Sequence, residues 1–155
     1  MIEKIHKDIQ ANLRKYNQEL LDMKPQGMLT WGYEKFDNHF AITTSFGIQS
    51  SVLLDMVSKL CLKKKIKIFW IDTGYLPPET YHYAEKLIDN LSLEVEVLQS
   101  ELSPARMEAK YGKLWETNKK SDLDKYHKLR KIIPLENGLD KYNIYCWASG
   151  VGSSQ

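Results

Sequence analysis

Apolar positions along this chain switch between a helical and an extended period, and each switch marks an element. Ile2, Ile5, Ile9, Leu13, Tyr16 and Leu20 recur at intervals of three and four. That spacing predicts an amphipathic helix ending before Pro25-Gln26-Gly27. A short helical turn is expected from Thr30 to Phe36, with Thr30 as its cap. Residues 40–45 are apolar and β-branched and predict a first strand. The helix after it carries Val52, Leu53, Met56, Val57 and Leu60 on one face. Residues 66–72 are apolar on both parities, as in a parallel strand buried on both faces. Pro77-Pro78-Glu79 opens the next helix, because proline suits a first turn and an acid suits its dipole. Its expected buried stripe is Tyr81, Ala84, Leu87, Ile88 and Leu91. Leu93 to Leu98 predicts a third strand, and Ser103 caps a helix over Pro104 to Tyr111. Residues 123–140 read as helix interrupted at Pro134, and Ile144 to Ala148 as a fourth strand. This alternation predicts an α/β fold: a parallel twisted sheet with helices on both faces.

Composition narrows the picture without naming a partner. With 22 basic and 20 acidic residues the net charge is +2, which gives no global argument for nucleic acid or a membrane surface. The run Lys63-Lys64-Lys65-Lys67 reads as a solvated connection. No apolar stretch is long enough to span a membrane, and the N-terminus is a charged amphipathic pattern rather than a signal peptide. Cys61 and Cys146 lack CxxC spacing, which fits a reducing cytoplasm without a disulfide framework. Cys61 is expected on a helix and Cys146 in a strand, both buried as small hydrophobes. His6, His39, His82 and His127 show no ligand spacing, so no metal site is expected. Two units are expected: an N-terminal helix over 1–24 and an α/β domain over 25–155. The helix is expected to pack on that domain.

The chemistry concentrates at two strand ends. Ser45-Phe46-Gly47-Ile48-Gln49-Ser50-Ser51 is a loop of small residues between a strand and a helix. A helix N-terminus has unpaired N–H groups and a partial positive charge, and Ser and Gly let a phosphate or sulfate come close to them. The second strand ends in Asp72-Thr73-Gly74-Tyr75, an acidic and polar corner. Two such ends side by side make a nucleotide site.

These blocks carry a family resemblance. The loop Ser45 to Ser51 resembles the modified phosphate loop of the phosphoadenylylsulfate (PAPS) reductases, in the adenine-nucleotide α-hydrolase-like superfamily. In order behind it stand Ile71 to Tyr81, Glu108 to Glu116, and Tyr126 to Leu135, so the resemblance covers about residues 35–155. It implies that Ser45, Gly47, Ser50 and Ser51 hold the phosphate- or sulfate-bearing end of the nucleotide. It implies that Asp72, Thr73 and Gly74 lie along the adenosine, and that Arg130 and Lys131 supply positive charge to the phosphosulfate. Two plainer readings stay open: Asp72 as the cap of a strand-end turn, and Arg130 as the partner of a nearby acid. Trp70 and Trp115 are expected in the core. Relatives that reduce adenylylsulfate carry a Cys-Cys pair where Tyr126 and His127 stand here, so no iron–sulfur cluster is expected and PAPS is the implied substrate.

The chain also departs from the family. The family nucleophile is a cysteine in a Glu-Cys-Gly-x-His motif, absent from this sequence, and neither Cys61 nor Cys146 takes its place. Gly152 and Ser153 stand where relatives carry two arginines. Losing two guanidinium groups beside a polyanion should weaken binding, since charge-assisted hydrogen bonds are worth about 1.5–3 kcal/mol each. A C-terminally truncated domain, or one completed by another chain, is therefore expected, with no catalytic residue assigned. By resemblance the function is thioredoxin-dependent reduction of PAPS to sulfite and adenosine 3′,5′-bisphosphate. The alternative is an inactive module that binds adenosine nucleotides. An ATP pyrophosphatase is disfavoured by Phe46 and Gln49, which do not fit a Ser-Gly-Gly-x-Asp-Ser loop. Expected partners are PAPS or the bisphosphate, thioredoxin and, as an option, a second copy in a homodimer, with no nucleic acid and no membrane.

Overall fold

A computed structural model describes residues 2–60 and 66–151, with the backbone alone for 2–6. The expectations for Cys61, Lys63 to Lys65, Gly152 and Ser153 lie outside the described residues. In chain order the elements are α1 (Ile2–Leu21), α2 (Pro25–Phe36), β1 (Phe40–Thr44), α3 (Ile48–Lys59), β2 (Lys67–Asp72), α4 (Pro78–Leu91), β3 (Val95–Gln99), α5 (Pro104–Tyr111), α6 (Lys120–His127), α7 (Ile133–Lys141) and β4 (Cys146–Ser149). The strands form one four-stranded sheet in the order β3-β2-β1-β4. Every pairing is parallel, with Ile42 opposite both Ile68 and Ala148.

Alternation along the strands builds two cores, one on each face of the sheet. Phe40, Ile42, Ile68 and Trp70 point one way and pack with Leu29 of α2, Leu53, Leu54 and Val57 of α3, and Ala84 of α4. Ala41 and Phe69 point the other way, with Leu98 and with Leu135 and Leu139 of α7. Helices on both faces of a parallel sheet are thus observed. α1 rests on α2: Tyr16 meets Trp31 edge-on at 5.6 Å, and Lys35 reaches Asp8 at 2.5 Å.

Several boundaries differ from the sequence reading, each for a local reason. The turn expected from Thr30 is the end of a full helix that starts at Pro25, where proline's missing N–H costs nothing. Thr30 is no cap; its hydroxyl donates to Gln26 O within that helix. On α3 the buried face runs through Ser50, Leu53, Leu54 and Val57, while Val52 is half exposed. Leu93 closes the cap after α4 rather than opening β3: Ser92 is left-handed, with φ of 49°, and Leu93 N–H donates back to Ile88 O. Pro134 does not interrupt its helix, because a π-helical segment, Lys128–Ile132, precedes it. Ile133 N–H there reaches Lys128 O, five residues back, which absorbs the hydrogen bond and the space that proline denies. β4 is an edge strand with Trp147 and Ser149 exposed, so Cys146 is only half buried.

Candidate nucleotide-binding site

The chain runs from β1 outward to β2 and β3, then returns to the other side of β1 as β4. The carboxyl ends of β1 and β4 therefore diverge into different loops, the place where open α/β sheets leave a crevice for ligands. A cleft of about 630 Å³ lies there. Its wall is made by Thr43, Thr44, Ser45 and Gly47 after β1, by Ile48, Gln49 and Ser50 of the first turn of α3, by Ile71, and by Ser149, Gly150 and Val151 after β4. No lining residue is charged. Among the described lining residues, positive potential inside the cleft thus comes from the N-terminus of α3, which has Gly47 at its cap and no acid in its first turn.

The loop is organised by its own hydroxyls. Ser45 Oγ lies 3.3 Å from Ser50 Oγ and accepts weakly from Gly47 N–H at 3.4 Å. Ser50 and Ser51 both donate to Gly47 O, at 3.1 and 2.9 Å. Ser45, Gly47 and Ser50 line the cleft, whereas Ser51 does not. Gly150 packs against α3: a Cβ there would lie 2.7 Å from Ser50 N and 2.8 Å from Ser50 Cα. The glycine directly after the last strand was the available sequence signal for this contact. Thr43, Thr44, Ile48, Gln49, Ile71, Ser149, Gly150 and Val151 are the cleft residues to which sequence reasoning gave no binding role.

The second group of predicted residues gathers at the end of β2, outside the cleft lining. Asp72 is 5% exposed and accepts three hydrogen bonds: from Tyr81 Oη at 2.6 Å, Gly74 N–H at 2.8 Å and Gln99 Nε2 at 2.7 Å. Burial pushes its carboxyl up. The hydrogen bonds from Tyr81, Gly74 and Gln99, together with the charge of Arg130, outweigh that and hold it below the usual 3.8. Burial, then the bond to Asp72, pushes the Tyr81 hydroxyl up to about 12. Asp72 thus does cap a strand-end turn. Gly74 has φ of +73°, and a Cβ on it would meet Pro104 Cγ at 2.7 Å and Arg130 Nη2 at 2.8 Å.

Asp72 also sets a pH dependence. Its folded-state pKa is depressed, so the stability it contributes is present above the unfolded value of 3.8 and is lost as pH falls through the lower folded value. Asp72→Asn is expected to flatten the acid limb below about pH 4 in urea titrations against pH. An unchanged acid limb would show that Asp72 makes no such contribution.

Arg130 is buried, and among the described residues it makes no ion pair with an acid. It is 2% exposed; Nε donates to Thr73 O at 2.7 Å, Nη2 to the same oxygen, and Nη1 to Leu102 O. The guanidinium also lies 5.5 Å over the ring of Tyr75. Its side chain ties the loop after β2 to the loop before α5. Lys131, next along the π-helical segment, is exposed. Trp70 is in the core as expected, but Trp115 is 36% exposed and packs edge-on against Tyr75 and Tyr126 at 4.6 and 5.5 Å. Burial, then the bond to Glu108, pushes the Tyr75 hydroxyl up to about 12. Desolvation likewise pushes the Cys146 thiol up to about 11. Among the described residues no group of His, Cys, Asp or Glu is gathered to hold a metal ion, and no helix is long and apolar enough to cross a membrane.

Comparison with known proteins gives the family. A model of the phosphoadenosine phosphosulfate reductase domain matches residues 39–155. A phosphoadenosine 5′-phosphosulfate reductase of Synechococcus sp. is 40% identical over 144 residues, which is 93% of this chain and 61% of that protein. One of Synechocystis sp. is 41% identical over 137 residues, 88% of this chain and 54% of that protein. The chain thus spans between half and two thirds of the length of these relatives. A crystal structure of phosphoadenylyl-sulfate (PAPS) reductase from Candida auris, a phosphate complex, superposes with a TM-score of 0.77 at 28% identity. It covers 92% of this chain, which in turn spans 68% of that one. The matched segment runs from the residue before β1 to the end of the chain and contains every residue of the cleft, so the chain belongs to the phosphoadenosine phosphosulfate reductase family.

Proposed function

We propose that the cleft between the ends of β1 and β4 binds the phosphate- or sulfate-bearing end of 3′-phosphoadenylylsulfate. In this reading the chain serves thioredoxin-dependent reduction of that compound to sulfite and adenosine 3′,5′-bisphosphate, a cytoplasmic step of sulfate assimilation. The observation that carries the reading is the uncharged cleft built against the N-terminus of α3, within the segment that matches the family. A helix N-terminus receives an oxyanion through N–H groups and a dipole, without a cationic side chain. Ser45 adds a hydroxyl donor at the cleft wall, and Ser50 becomes a second when its hydroxyl turns from Gly47 O to the ligand. The turn at Thr73 and Gly74, fixed from one side by Asp72 and from the other by Arg130, forms a rigid edge for the nucleoside. Arg130 then acts on the substrate through the backbone it holds, and Lys131 contributes charge from the surface.

In the family reaction a cysteine thiolate attacks the sulfur of the phosphosulfate. A sulfur–sulfur bond forms, the sulfur–oxygen bond breaks, and its electron pair leaves with adenosine 3′,5′-bisphosphate. A thioredoxin dithiol then frees sulfite and is oxidised to its disulfide. Cys146 is unsuited to the attack, since its thiol is half buried in a strand and desolvation pushes it up to about 11, disfavouring the thiolate. This favours a second reading for the chain by itself, binding without sulfur chemistry. Tyr126 and His127 offer no thiolate where cluster-bearing relatives carry a Cys-Cys pair, so in this reading the electrons come from thioredoxin and not from a cluster on this chain.

Isothermal titration of the purified chain with adenosine 3′,5′-bisphosphate tests the site. Saturable binding at least about tenfold tighter than AMP or ATP is expected. Absence of binding by any of the three nucleotides would refute the assignment of the cleft. Sulfite assays with PAPS and reduced thioredoxin separate the two readings: none is expected from this chain, and release would overturn the binding-only reading.

A further inference from the structure

Phe46 is out of character with the loop that contains it. Across residues 43–50 every other residue lines the cleft, whereas Phe46 is 5% exposed and turned into the core. Its ring meets Trp70 edge-on with centroids 4.8 Å apart. Its backbone has φ of +56°, a left-handed conformation that a bulky side chain rarely adopts. Glycine would adopt that conformation freely, and a glycine is next in the chain. Yet Gly47 is extended, with φ of −74° and ψ of 172°. The phenylalanine holds the disfavoured conformation and the glycine does not. Such a backbone persists where its surroundings over-determine it. Here they are the buried ring and the hydrogen bond from Phe46 N–H to Thr44 Oγ1 at 3.1 Å.

We propose that Phe46 is the positioning residue of the phosphate loop: its ring, seated on Trp70, fixes the reversal after β1 that turns Gly47 to Ser50 toward the cleft. The inference rests on the cleft being the anion site, and it deepens that reading by saying what preorganises it. The seat is shared with the second strand end. Trp70 also packs on Tyr81 at 5.6 Å, and Tyr81 donates to Asp72. Trp70 Nε1 is buried without a hydrogen-bond partner among the described residues, so the indole contributes here through its ring faces and edges. Phe46, Trp70, Tyr81 and Asp72 form one row that holds the loop after β1 and the loop after β2 in fixed relation. A row of this kind lets the site meet its ligand without first ordering the loop, which lowers the entropic cost of binding.

The test uses Phe46→Gly, which removes the ring and frees the backbone, with Phe46→Leu as the conservative variant and Val57→Ala as a destabilised control. Backbone 15N order parameters are measured first, without ligand. Wild type and Phe46→Leu are expected near 0.85 at residues 45–49, and Phe46→Gly below about 0.6. Phe46→Gly should also lose about tenfold or more in affinity for adenosine 3′,5′-bisphosphate, while Phe46→Leu and Val57→Ala stay within about threefold of wild type. Should Phe46→Gly not fold, Phe46→Ala against Phe46→Leu gives the same comparison. Order parameters that remain near 0.85 in the Gly or Ala variant would overturn the proposal. If wild type binds no bisphosphate, the anion-site reading fails while the order parameters still decide whether Phe46 holds the loop.

Discussion

Replacing Arg130 with alanine is expected to destabilise the fold by about 3–4 kcal/mol, a fall of roughly 10 °C in Tm for a chain of this size. The reason is the company that its guanidinium keeps. Three N–H groups serve two carbonyls, those of Thr73 and Leu102, and the side chain is 2% exposed. Removing it leaves buried carbonyls without donors and opens a void beside Tyr75 and Pro104. Arg130→Lys should recover little, because one ammonium group cannot span two carbonyls as a planar fork does. Thermal and urea melts of the two variants check this. The same experiment separates a clamp from a ligand: a residue that only contacts substrate would lose affinity and leave Tm within about 2 °C. A small change in Tm would therefore remove Arg130 from the framework and return it to the substrate.

The second large effect falls on binding. Gly150→Ala is expected to cut affinity for adenosine 3′,5′-bisphosphate by about tenfold or more, with a stability cost of about 1–3 kcal/mol. The added methyl meets the backbone of Ser50 and Gln49 at 2.7 to 2.9 Å, and backbone in a first helical turn cannot swing aside as a side chain can. β4 is the element that can yield, since it is an edge strand paired to β1 alone. Its end must then lift away from α3, widening the cleft beside the first turn of that helix. Titration calorimetry beside a thermal melt reads both parts. Wild-type affinity in Gly150→Ala would show that contact between β4 and α3 does not shape the site.

Much of the architecture was legible because burial leaves a periodic mark. Apolar residues on both parities at 66–72 announced a strand covered on two faces, and Ile68, Phe69 and Trp70 do divide between the two cores. The Ser103 cap was readable in the same local way, and its Oγ accepts from Arg106 N–H. Errors came where a local rule met a neighbour it could not see. Pro134 signals a break, but a π-helical segment supplied by the preceding five residues absorbs it. Val52 fits an apolar stripe, yet the sheet lies against the other side of α3.

The candidate site divides along the same line. Composition and order alone determined a small-residue loop between a strand and a helix, and with it a helix N-terminus facing that loop, since a helix end offers free N–H groups wherever it occurs. Three further matters were decided by the tertiary structure. Asp72 and Arg130, the charged residues that look most like ligands, spend their hydrogen bonds on the framework, and Arg130 finds its acceptor in Thr73, 57 positions away. Gly150 packs directly on Ser50 at the wall of the cleft. Phe46 seats against Trp70 and so orders the loop from behind. Periodicity reports whether a side chain is buried, because burial follows from the face of the element it stands on. Which group it is buried against depends on strand order and register, and these exist only once distant segments have come together.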